Sequence, residues 1–114
     1  MEQQYKMVTE SLKLLASSLE EQEKYLPDFA DVPDDVTSSF ENAFLILPTL
    51  IENNKFSNNS IASILRLYNK MQWCLRNLEL DDFSNVEWNK VREMARETLQ
   101  LMGEPIEKPD SNYI

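Results

Sequence analysis

The chain has 114 residues, with 20 acidic against 11 basic side chains, no histidine and a formal charge of −9 at pH 7. That length fits a single domain which buries roughly two-thirds of the unfolded chain's surface, and a field of that sign repels phosphate backbones and anionic membranes. A 42% hydrophobic fraction is too apolar for a disordered chain, while the longest uncharged apolar run, Ala43 to Ile51, is far too short to cross a bilayer.

The first segment repeats Tyr5, Val8, Leu12, Leu15 and Leu19 at spacings of three and four, which places them on one helical stripe. The pattern predicts a helix from about Glu2 to Tyr25, ended by Pro27 because the residue before a proline avoids helical angles. Asp28 to Pro33 reads as a loop, and Asp34 and Asp35 suit the first turn of a second helix, where the dipole is positive. That helix carries Val36, Phe40, Ala43, Phe44, Leu47, Leu50 and Ile51, with Leu45 and Ile46 widening the apolar arc. Pro48 removes a donor and predicts a kink or break near Phe44 to Leu47.

Ser57 is the expected N-cap of a third helix reaching about Asn77, with Ile61, Ile64, Leu65, Tyr68, Met71, Cys74 and Leu75 as its core positions. Ser84 with Glu87 reads as a capping box opening a fourth helix that buries Trp88, Val91, Ala95, Thr98 or Leu99, and Met102. Gly103 supplies a left-handed stop. Only one glycine is present and no hairpin dipeptide occurs, so the fold class is all-α. The expected architecture is an antiparallel bundle of four helices, or five if broken at Pro48, over residues 1–103, with an extended or mobile tail at 104–114.

Without histidine, the Ser-His-Asp and Cys-His arrangements and the usual zinc sites are unavailable, and one glycine cannot build a phosphate-cradling loop. No enzyme activity, cofactor or metal is expected. Asp31, Asp34 and Asp35 lack the alternating ligands of a calcium loop. The single cysteine, Cys74, reads as a core residue. Met1 to Lys6 show no secretory signal, so the expected compartment is the cytoplasm.

What stands out is uneven charge. Glu20 to Glu41 holds Glu20, Glu21, Glu23, Asp28, Asp31, Asp34, Asp35 and Glu41 against Lys24 alone, and a second cluster, Glu79, Asp81, Asp82 and Glu87, precedes the last helix. Aromatic residues sit among or near these acids. Trp73 lies about 160° around its helix from Met71 and Leu75, which makes it either a helix-flank residue or an interface anchor. Phe83 and Leu80 either fold inward as a staple or face a partner, and Phe29, between Asp28 and Asp31, poses the same choice. The candidate partner-binding residues are therefore Asp28, Phe29, Asp31, Asp34, Asp35, Trp73, Glu79, Asp81, Asp82 and Phe83.

The segment Leu65-Arg66-Leu67-Tyr68-Asn69-Lys70-Met71-Gln72-Trp73-Cys74-Leu75-Arg76-Asn77, continued by Asp82-Phe83 and Trp88-Asn89-Lys90-Val91-Arg92, resembles the small bacterial immunity proteins of contact-dependent growth inhibition and related polymorphic toxin systems. The resemblance covers the last half of the chain and carries over no binding residue. It implies a cytoplasmic protein that neutralises one cognate toxin, often a nuclease acting on tRNA. The acidic surface is in keeping with such a basic partner. The alternative reading is a helical adaptor that accepts a partner helix or pairs with itself through Leu45, Ile46 and Leu67. A third is a nucleic-acid mimic of phage type.

Overall fold

Two adjacent serines interrupt the first predicted helix. In a computed structural model, which describes all of residues 1–114, helix α1 ends at Ala16 and α2 spans Leu19–Tyr25. The Ser18 hydroxyl accepts from the Glu21 N–H at 3.1 Å while the Glu21 carboxylate accepts from the Ser18 N–H at 2.9 Å, a reciprocal capping box that starts a new helix. The Ser17 hydroxyl donates to the Lys13 carbonyl at 2.8 Å and closes the old one.

The remaining helices are α3 (Val32–Leu45), α4 (Leu47–Glu52), α5 (Asn58–Asn77) and α6 (Val86–Met102), and there are no strands. The fold is all-helical, with six helices. The Pro48 break occurs as expected: α3 stops at Leu45, and Pro48 falls in the first turn of α4, where its missing donor costs nothing. Ser57 caps α5 by accepting from the Ser60 N–H, and Gly103 ends α6 at φ +73°. Ser84 does not cap α6. Asn85 does, accepting from the Glu87 N–H at 2.9 Å, because the Glu87 carboxylate is drawn away to Lys70 and Lys90.

Helix α1 packs against α3 and α6, and α6 against α5. Three helix pairs run antiparallel: Arg96 donates to the Ala16 carbonyl while Tyr5 reaches Glu104, Ser63 meets Thr98 while Lys70 meets Glu87, and Phe44 stacks on Tyr68 at 3.8 Å while Gln72 reaches Glu41. The 26–31 and 78–85 connections consequently emerge at one pole. Val8, Leu12, Leu15, Val36, Phe40, Leu50, Ile64, Met71, Trp88, Val91 and Leu99 fill the centre. Leu67 joins them, fully buried, whereas Leu45 is 77% exposed and Leu65 faces solvent. The expected apolar contact surface of Leu45, Ile46 and Leu67 therefore loses one of its members to the core.

The tail has no regular secondary structure from Glu104 to Asp110, bends at Glu107 and then makes a 3-10 turn at Ser111–Tyr113. It returns along α1: Lys13, almost fully buried, bridges Glu10 at 2.9 Å and Glu107 at 3.0 Å, and the Asp110 N–H donates to Glu10. Burial opposes the Lys13 charge, but the hydrogen bonds it donates to both carboxylates, with their opposite charge, outweigh it and hold the pKa above its usual value. No helix is long and apolar enough to cross a membrane.

One buried polar node joins these parts. The Arg92 guanidinium, in a residue only 3% exposed, donates to the Gln22 side-chain oxygen at 3.3 Å, to the Phe83 carbonyl at 2.9 Å and to Asn89 at 2.9 Å. Gln22, fully buried on α2, in turn donates to the Leu14 carbonyl at 3.0 Å. Arg92→Ala would leave the Gln22 and Phe83 oxygens buried without donors, and should cost about 3 kcal/mol, read as a lower denaturant midpoint at unchanged slope.

Candidate functional site

Asp31 and Asp81 lie fifty residues apart in sequence and line a single cleft. Its volume is about 430 Å³, and its walls come from the start of α2 (Leu19, Glu23), the start of α3 (Asp31, Val32, Pro33) and the 78–85 connection (Leu80, Asp81, Phe83, Ser84). The antiparallel course of α3 and α5 is what brings these loops together. Local chemistry then fixes each wall. The Asp31 carboxylate caps α3 by accepting from the Asp34 N–H at 3.3 Å, and Pro33 sits in that first turn. Backbone bonds from Asp82 to Glu79 and from Asn85 to Asp82 wind the second connection into tight turns.

The cleft has an apolar floor and an acidic rim. Phe83 is buried at 3% exposure, packs on Trp88 at 4.7 Å between centroids and has the Arg92 guanidinium 4.6 Å from its ring centre. It is a wall of the cleft and not a protruding anchor, as one of the two sequence readings allowed. Burial, and then repulsion from Arg96, lower the Arg92 pKa to about 10, so the side chain stays cationic behind that wall at neutral pH. Glu23, Asp31 and Asp81 form the rim, and Asp28, Asp34, Glu79 and Asp82 are exposed around it. None of these carboxylates, nor Asp35, engages a lysine or arginine in an ion pair; the five ion pairs of the protein all lie elsewhere.

The candidate residues do not all converge. Asp35 lines a separate depression of about 370 Å³ with Leu14, Leu26, Ser38 and Ile114. Phe29 is 91% exposed on the turn closed by the Ala30 N–H to the Pro27 carbonyl, immediately before the Asp31 rim. Trp73 stands apart from the cleft: it is 41% exposed on α5, and Lys70, the partner of Glu87, places its ammonium 4.4 Å from the ring centre. Sequence reasoning missed Glu23 and Leu19 as cleft residues. The signal was present for Leu80, an apolar side chain held between Glu79 and Asp81, but its opposite wall is visible only in three dimensions.

Cys74 lies in the core, where burial pushes its thiol pKa up. No three or more Asp, Glu or Cys side chains gather in an arrangement suited to a metal ion. No family model matches the sequence, and no curated protein or solved structure matches it either.

Hydrogen bonds from Lys70 and Lys90 hold the Glu87 carboxyl below the usual carboxylate value of 4.5, and the Ser18 N–H does the same for Glu21. A carboxyl lowered by folding adds stability that is fully present above its unfolded pKa and drains away as pH falls through the lower folded value. Glu87→Gln should thus flatten the acid side of the stability curve below pH 4.5, measured by chemical denaturation at stepped pH. An unchanged curve would mean that solvent screens the Lys70–Glu87 pair completely.

Proposed function

We propose that this protein is an immunity protein of the contact-dependent growth inhibition or polymorphic toxin type, which acts in the cytoplasm by binding and neutralising one basic toxin. The toxin on this reading is a nuclease domain, and inhibition works by occlusion of its active site or of its substrate-binding surface. The four long helices α1, α3, α5 and α6 are read as an antiparallel bundle whose one pole presents the inhibitory surface.

The observation that carries the proposal is Asp31 and Asp81 on the rim of one cleft, in a field of further carboxylates without countercharges. Unpaired acids at one pole steer a cationic protein into fast encounter. The apolar floor of Leu19, Leu80 and Phe83 suits the aliphatic stem of a lysine or arginine, with the charged head meeting the rim. A nuclease groove shaped for phosphates carries such side chains. Phe29, which no part of its own chain covers, supplies an aromatic anchor next to the rim, the kind of residue that governs dissociation. The adaptor reading is carried less far, because Leu67 is in the core.

The test is co-expression with the product of the adjacent gene, which this reading requires to be the toxin, followed by association kinetics over a salt series. Association should slow steeply as salt rises. Asp31→Lys with Asp81→Lys should slow it by about tenfold or more at low salt, and Phe29→Ala should speed dissociation by an amount worth about 2 kcal/mol. Salt-independent association by both proteins, or full toxin activity in the complex, would defeat the reading.

A further inference from the structure

Helix α5 contains Arg66, Lys70 and Arg76 and not one carboxylate, in a chain with 20 acidic residues. At about 100° per residue its outward-facing side chains Leu65, Arg66, Asn69, Trp73 and Arg76 share an arc of about 100°, opposite the buried Ile64, Leu67, Met71 and Cys74. Leu65 is 44% exposed on this arc, in addition to Trp73. Arg66 and Arg76 have no ion-pair partner. The carboxylates bordering the face are committed to its flanks, Glu87 to Lys70 and Glu41 to Gln72. A cationic, partly apolar helix face therefore stands uncovered on a strongly anionic protein.

We propose that this face is a second docking surface, and that its occupant is the acidic pole of another copy of this chain. Both halves of the contact are present on the molecule and are complementary in charge and in polarity. The Trp73 indole offers a flat apolar surface to the floor formed by Leu19, Leu80 and Phe83. Arg76 follows Trp73 by roughly 4.5 Å along the helix and Arg66 precedes it by roughly 10 Å, within reach of the Asp31, Asp81 and Glu23 rim. Each copy carries −9, but at physiological ionic strength that mean repulsion is screened beyond about 8 Å, whereas facing charges in contact are screened much less.

Because the two surfaces differ, the contact is heterologous: each added copy leaves one face of each kind free. Accumulating negative charge keeps such chains short and the association weak. The acidic cleft is then covered by another copy until a more cationic protein displaces it.

The experiment is sedimentation velocity on the purified full chain over a concentration series at about 0.15 M salt. The weight-average mass should rise above that of one chain as concentration increases. Trp73→Ala with Arg76→Ala should remain single at every concentration, as should Asp31→Asn with Asp81→Asn, in which asparagine preserves the α3 cap. An equimolar mixture of the two variants should form a one-to-one complex and nothing larger, since only one native pair of faces survives. Circular dichroism checks that each variant folds, and Arg66→Gln with Arg76→Gln replaces the first variant if it does not. Wild-type protein of single-chain mass throughout, or association retained by both variants, overturns the proposal. No toxin takes part, so the outcome is independent of the salt series on the toxin complex.

Discussion

A guanidinium buried without a carboxylate is costly to accommodate, and the arrangement around Arg92 shows how this fold does it. Its donors are taken up by neutral oxygens from Gln22, Asn89 and the Phe83 backbone, while its flat face covers the Phe83 ring. Removing a partner from such a site leaves a desolvated charge behind, so the positions of α2, the 78–85 connection and α6 become mutually dependent. Gln22 extends the chain of bonds to the last carbonyls of α1, and Arg96 reaches the Ala16 carbonyl beside them. The free end of one helix, the whole of the next and a long-range loop are thereby fixed by two side chains. Two of the three walls of the acidic cleft, the start of α2 and the 78–85 connection, belong to this assembly, which fixes their spacing.

Charge in this protein is segregated as well as unbalanced. Ion pairs occupy the flank of α6, the tail strap on α1 and, through the exposed Lys24–Glu20 pair, α2. The pole keeps its carboxylates unpaired, and the outer face of α5 keeps its arginines unpaired. Unsatisfied surface charge is inexpensive in water, so the folded state tolerates this separation. Its consequence lies in the long-range field, which is directional across the molecule.

The all-helical class was legible from periodicity, as were the Pro48 break, the Ser57 cap and the Gly103 stop, because each rests on local chemistry. The break at Ser17–Ser18 was not, since Leu15 and Leu19 keep the stripe in phase across it. A capping-box pattern was present there, Ser18 with Glu21, and an identical spacing at Ser84 and Glu87 turned out to be inactive. What separates them is the competition for the glutamate: Glu87 has two lysines within reach and Glu21 has none so close. The acidic clusters could be read directly, but their meeting across one cleft depends on antiparallel packing of distant helices. Trp73 was legible as a residue off the apolar stripe by its angle around the helix, but the cationic face on which it stands, apart from the acids, is set by Arg66 and Arg76 on the same arc. Leu65 and Leu67 exchanged their expected environments because a two-residue offset on a helix spans more than half a turn.

The two tryptophans occupy opposite environments, one sealed against Phe83 behind the cleft and the other open to water beneath a lysine. Indole emission shifts to longer wavelength with solvent contact and is quenched by small dissolved ions only where they can approach. This protein therefore carries two spectrally separable reporters without any label: Trp88 senses changes transmitted through the cleft wall, and Trp73 senses whatever covers the outside of α5.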